Sequence, residues 1–186
     1  EAPDRIQSQQ SLGDFLALSS ALRTFVVELS KIANDLRLLS SGPHTGLDEI
    51  ELPAVQPGSS IMPGKVNPVM AEMVNMVCFH IIGQDTAIMM SAEAGQLELN
   101  VMMPYVAYAL LESLEIIRNA VQQLDENCIR GILAHPARCR EYADRSVGQA
   151  ATLNTQLGFM KAAELAQQAI ETGKSIDDLL RQSTRT

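Results

Sequence analysis

Tryptophan is absent from the chain, and phenylalanine and tyrosine together supply only seven of its 186 residues. Nine methionines stand where aromatics are scarce. They cluster at Met70, Met73, Met76, Met89 and Met90 and again at Met102 and Met103. Flexible thioethers fill irregular gaps between helices, so packing filler accounts for them better than a cofactor-binding box. Positive charge is also short: 14 Lys and Arg face 22 Asp and Glu, giving a net charge of −8. That balance argues against nucleic acid or an anionic membrane surface as partner. It does not exclude a small anionic substrate, because one lysine in a pocket suffices. Cysteine is limited to Cys78, Cys128 and Cys139, an odd number without metal-ligand spacing, which points to reduced thiols and a cytoplasmic protein. The three histidines, His44, His80 and His135, have no Cys, Asp or Glu at ligand spacing, so no metal site is expected. His80, among Phe79, Ile81 and Ile82, reads as a packed or interface histidine. The polar, acidic start lacks the apolar core of a signal peptide, and no uncharged apolar run of about 18 residues predicts a membrane span. Repeats, low-complexity tracts and a convincing strand pair are missing as well.

What is present is helical periodicity. Leu12, Phe15, Leu18, Leu22, Val26, Leu29, Ile32, Ala33 and Leu36 recur at spacings of three and four. They predict one long helix from about Ser11 to Leu39, stopped by Ser40-Ser41-Gly42-Pro43. Asp35 and Arg37 read as surface or interface charges on it. Residues 43–68 form a long connection in which Leu47, Ile50 and Leu52 could make a short extended piece. Pro68 suits the first turn of a second helix with Asn67 as its N-cap. That helix runs through Met70, Met73, Val74, Val77, Cys78, Ile81 and Ile82 to about Ala92–Gly95 and is apolar on several sides, as a helix buried in a larger assembly would be. A third long pattern covers Leu97 to Leu124, with Pro104 marking a start or a kink. Shorter patterns follow at 136–145, 147–153, 159–172 and 175–181, divided by Gly158 and Gly173, with Ser175-Ile176-Asp177-Asp178 as a capping start. The expected fold class is therefore all-α: residues 1–133 as long helices of a bundle, and residues 134–186 as a small C-terminal helical domain. Three helices of such length do not bury their apolar faces alone.

Between the first two helices lies Gly58-Ser59-Ser60-Ile61-Met62-Pro63-Gly64-Lys65-Val66-Asn67-Pro68, with two glycines and, counting Pro57, three prolines. Such punctuation makes a loop, and loops held on rigid scaffolds are where chemistry concentrates. An ammonium and an amide two residues apart, Lys65 and Asn67, can hold one carboxylate by charge and hydrogen bond. The same pair can stabilise further negative charge that builds on that carboxylate. Backbone N–H groups of a glycine-containing turn, with a nearby ammonium, can stabilise an anion. Glu72, near the start of the following helix, complements the helix dipole.

The eleven residues GSSIMPGKVNP resemble the signature segment of the fumarase/aspartase superfamily, without a departure. The stretch Ser91-Ala92-Glu93-Ala94-Gly95-Gln96-Leu97-Glu98-Leu99-Asn100-Val101 is similar to the aspartate ammonia-lyase branch rather than the fumarate hydratase branch. The resemblance runs from about Leu12 to Leu180, and family members are longer, so this chain looks like their C-terminal part. By position in the motif it implies that Ser59 is the catalytic base and that Ser60, Lys65 and Asn67 bind substrate. Gly58, Ile61 and Met62 support them, and Glu72 orients a histidine donated by another subunit. It further implies a homotetramer whose central helices form a many-helix bundle, with active sites built from three subunits. The reaction implied is reversible anti elimination of ammonia from L-aspartate to give fumarate, without an organic cofactor. The other readings are a fumarate hydratase acting on L-malate and a non-catalytic helical assembly module. The signature loop alone does not separate the two reactions. Because the remaining site residues are expected elsewhere, residues 1–186 by themselves are expected to be inactive.

Overall fold

A computed structural model describes residues 3–58, 61–62 and 64–183. It is built from α-helices with a single short strand pair among the described residues. By its internal contacts the chain divides into two compact units, Glu1–Leu133 and Ala134–Thr186.

The first unit opens with a short helix, α1 (Gln7–Gln10), in a stretch whose polar sequence carries no period. The long helix α2 (Gly13–Leu39) follows, as the three-and-four spacing requires. α3 (Val69–Glu93) and α4 (Met103–Asn127) complete a three-helix core, with α3 in the middle, packed against both of the others. Pro104 stands in the first turn of α4, so the helix starts there and is not kinked. The central cluster joins Val26, Ala33 and Leu36 of α2, Ala71, Val74, Cys78 and Ile81 of α3, and Ile117, Ala120 and Leu124 of α4. A second cluster, at the other end of α3, gathers Leu12, Ile88, Val106, Ala109 and Leu110. Fully burying one such Val or Ile side chain contributes about 1.5–3 kcal/mol. Cys78 and Cys128 lie in this interior as free thiols, and burial pushes both above the usual thiol value.

α3 is long and apolar enough, by length and composition, to cross a membrane. Its polar residues show why it serves as a core helix instead. Asp85 is buried and accepts hydrogen bonds from Ser19 Oγ (2.6 Å) and Arg23 Nη1 (2.9 Å) of α2. Asn75, also buried, donates through Nδ2 to the Ser30 carbonyl (3.1 Å) and Ser30 Oγ (2.9 Å). Both partners of each pair lie on the α2–α3 seam, where burial without a partner would be costly. The side of α3 away from the seam carries Met76 and Phe79, 63% and 61% exposed in the single chain. Phe15, Leu18 and Ile32, expected in the apolar stripe of α2, are exposed as well.

The strand pair is a departure from the sequence reading. β1 (Ile50–Glu51) pairs with β2 (Leu133–Ala134), where the first unit ends. Two residues per strand are too few for an alternating pattern to register. β1 does fall within the piece expected to be extended. His80, read as a packed or interface histidine, is not packed within the single chain: it is exposed, with Nε2 3.5 Å from Glu112 Oε2.

In the second unit, α5 (Pro136–Arg145), α6 (Gln149–Leu157), α7 (Phe159–Thr172) and α8 (Ile176–Ser183) follow in order. Their core holds Ala150, Leu165, Ala169, Ile176 and Leu179. α6 begins later and runs further than the 147–153 pattern, because Ser146 and Gly148 are engaged in a turn, with the Gly148 N–H donating to Ser146 Oγ. Gly173 takes a left-handed φ of 68° to end α7, a conformation that glycine enters without strain. Ser175 caps α8, accepting from the Asp178 N–H at 3.1 Å and donating to its carboxylate at 2.9 Å.

Candidate active site

The signature segment arrives on an anchored chain. Past α2, the Asp48 N–H donates to the Ser41 carbonyl (2.7 Å) and the Glu49 N–H to the Leu39 carbonyl (3.0 Å), folding residues 41–49 back on the helix end. β1 then holds the strand leading to Leu52 and Pro53. From Pro57 to Val69 the described residues form no regular structure.

Within that stretch Gly58 lies directly against Lys65. A Cβ placed on Gly58 would stand 2.2 Å from the Lys65 carbonyl oxygen and 3.1 Å from its carbonyl carbon. Only glycine permits this approach. The Lys65 N–H in turn donates to the Met62 carbonyl at 3.1 Å, with Gly64 at a left-handed φ of 84° between them. The loop thus closes on itself between Gly58 and Lys65, as compact surface loops with adjacent ends do. Ser59, Ser60 and Pro63 belong to this loop in sequence and lie outside the described residues. Ile61, 87% exposed, and Met62 project to solvent in the single chain, and Lys65 is exposed as well.

Asn67 is half-buried at the exit. It does not cap α3 as its sequence position predicts: the helix has no side-chain cap, and Pro68 occupies the cap position. Pro68, at φ −78° and ψ 58°, centres an inverse γ-turn in which the Val69 N–H donates to the Asn67 carbonyl at 2.8 Å. The backbone of Asn67 therefore satisfies the donor that a side-chain cap would have taken, which leaves its amide side chain out of the helix start. The first helical bond follows from the Glu72 N–H to the Pro68 carbonyl (3.1 Å). Glu72, half-buried, is the acidic residue of the first turn of α3. Lys65, Asn67 and Glu72 are thus carried on one short run joining a closed loop to a buried helix. The chemistry available there is one ammonium, one amide and one carboxylate, with the two serine hydroxyls adjacent in sequence.

Arg37, read from the sequence as a surface or interface charge, is exposed in the single chain. Its Nη1 also donates to Asn75 Oδ1 at 3.1 Å, tying the last turn of α2 to the beginning of α3. The available signal was Asn75 itself, a polar residue within the apolar run Met73-Val74-Asn75-Met76-Val77, which burial obliges to find partners. Among the described residues no group of three or more His, Cys, Asp or Glu side chains could hold a metal ion.

A Gly58→Ala substitution should force the loop open, because the obstructing atoms belong to backbone. In the full-length protein turnover is expected to fall by at least about tenfold, since misplacing site groups by about 1 Å can cost about 10²-fold. The melting temperature should hardly move, as Gly58 lies at the surface. Wild-type kcat in this variant would show that the closure has no part in the chemistry.

Known proteins match both the sequence and the fold. A family described as Lyase matches residues 1–83, which include the loop and the first turns of α3. An aspartate ammonia-lyase from Pseudomonas canavaninivorans is 50% identical over 181 residues, covering 97% of this chain and 38% of that protein. Among solved structures, fumarate lyase:delta crystallin from Brucella melitensis superposes with a TM-score of 0.91 at 47% identity, over 98% of this chain and 40% of that one. The recombinant class II fumarase from Schistosoma mansoni gives a TM-score of 0.92 at 36% identity, over 98% of this chain and 38% of that one. The chain spans about two-fifths of the length of these relatives. An unbroken signature, an all-α fold and matches over almost all of its residues establish that the chain belongs to the fumarase/aspartase superfamily.

Proposed function

We propose that this chain carries the base-bearing loop of an ammonia-lyase that converts L-aspartate to fumarate and ammonia. The observation that carries the reading is the closed loop, Gly58 against Lys65, delivering Lys65 and Asn67 directly onto the start of α3. In this reading Ser59, as alkoxide, removes a proton from the carbon beside a substrate carboxylate. The electron pair moves into that carboxylate to give an enediolate, and ammonia leaves from the adjacent carbon on the opposite face. Lys65 and Asn67 bind the carboxylate and stabilise the charge as it builds, where electrostatic stabilisation contributes most. Ser60 binds substrate beside them, with Gly58, Ile61 and Met62 shaping the loop. Glu72 orients a histidine from another subunit. No organic cofactor enters the scheme.

The reading includes a homotetramer with shared active sites. It is supported by the outward apolar faces of the long helices, where Met76, Phe79 and Leu111 are each more than 60% exposed in the single chain. The further site residues come from other segments, so residues 1–186 alone form no fumarate. Sequence similarity to aspartate ammonia-lyases favours aspartate as substrate. The fold shared with a class II fumarase keeps L-malate dehydration as the second reading.

The assay is fumarate absorbance after adding L-aspartate to the full-length protein. Lys65→Ala is expected to lower kcat and raise KM together, because the ammonium is used in the ground state and more in the transition state. A kcat/KM equal to that of the parent would remove Lys65 from the site.

A further inference from the structure

Arg37 lies in the last turn of α2, and its only hydrogen bonds among the described residues go from Nη1, to Asn75 Oδ1 at 3.1 Å and to Asn34 Oδ1 at 3.4 Å. Asn75 is 2% exposed, and its Nδ2 is already committed to the carbonyl and hydroxyl of Ser30. Arg37 is thus the one donor to the Asn75 oxygen among the described residues. Asn75 sits one turn after Glu72, on the face of α3 where Ala71, Val74 and Cys78 pack into the core. The loop carrying Lys65 and Asn67 joins the helix immediately before that turn.

From this chain of contacts we propose that Arg37 is a positioning residue for the active site. It acts through Asn75 to hold the first turns of α3 against the end of α2. The poses of Asn67 and Glu72 depend on that hold. A buried amide oxygen that loses its donor must rotate its group or move its helix turn to recover one. Either adjustment reaches the run that carries the site. A cation is suited to the task because a charged donor makes the stronger bond. The proposal rests on the active-site reading above.

The test measures kcat and KM for L-aspartate with full-length Arg37→Ala, Arg37→Lys and Lys65→Ala, each normalised to folded enzyme by circular dichroism. Arg37→Ala should lose about 30-fold in kcat with KM within about threefold, the pattern of misplaced groups rather than lost binding. Arg37→Lys, which keeps a cationic donor, should recover most of that loss. Three results would overturn the inference while Lys65→Ala is impaired: Arg37→Ala with kcat within about twofold of the parent, a change confined to KM, or a loss that Arg37→Lys does not relieve. A lowered melting temperature with unchanged kcat would make the contact structural only, and would also overturn it. If Arg37→Ala does not fold, Arg37→Gln is judged by the same criteria. Normal kcat/KM in Lys65→Ala would remove the active-site reading itself, and the positioning role with it.

Discussion

Ser59→Ala in the full-length protein is expected to lose about 10³-fold or more in kcat while keeping its helical content and its assembly state. General-base removal of a proton contributes about 10²–10⁴-fold, and alanine leaves nothing at that position to accept it. The substitution deletes one oxygen from a loop whose closure is made elsewhere, by Gly58 against Lys65 and by the Lys65 N–H on the Met62 carbonyl. The cost should therefore appear in the chemical step and leave the fold alone. KM should change little, because the groups assigned to the carboxylate, Lys65 and Asn67, remain. A variant retaining a tenth of parental kcat would show that Ser59 is not the base.

The second large effect concerns the leaving group. L-Aspartate and L-malate share both carboxylates and differ by a full charge at the substituted carbon. One loop with one lysine and one asparagine treats the shared parts alike, so discrimination arises around the ammonium or the hydroxyl. A site built with buried polar partners for one group rejects the other by about 10⁴-fold, because its own groups are left unpaired. The full-length protein is expected to deaminate L-aspartate with kcat/KM above that for dehydrating L-malate by about that factor. Both substrates measured on one preparation decide it, and a preference for malate would make the protein a hydratase.

How far the sequence led differs between fold and site, for physical reasons. α2 and α3 were legible from apolar spacings, because a long helix with one face on a core repeats its pattern many times. The tiny β1–β2 pair was not, since two residues per strand hold no period. In the loop, Lys65, Asn67 and Glu72 could be named because one continuous run carries them. How the loop is held was not visible. Gly58 touches Lys65 through backbone, which no side-chain pattern records. Asn67 looked like a cap because its residue type favours caps, but the γ-turn at Pro68 engaged its carbonyl instead. The contact of Arg37 with Asn75 was not visible because the two are distant in the chain, and only a buried asparagine in an apolar run hinted at it.

The polar contacts that α2 makes with Asp85 and Asn75 of α3 also set how the helices can align. A seam of valine, alanine, leucine and isoleucine has no directional contacts: slid along by one turn, about 5.4 Å, such side chains still meet apolar partners. Asp85 on Ser19 and Arg23, and Asn75 on Ser30, do not tolerate the slide. They lie about three turns apart, so a single displacement empties both at once. Each would then be a buried group without its partner, at about 1–3 kcal/mol for the amide and more for the carboxylate. The apolar residues make α2 and α3 adhere, and these two positions select one alignment from the several that adhesion alone would allow.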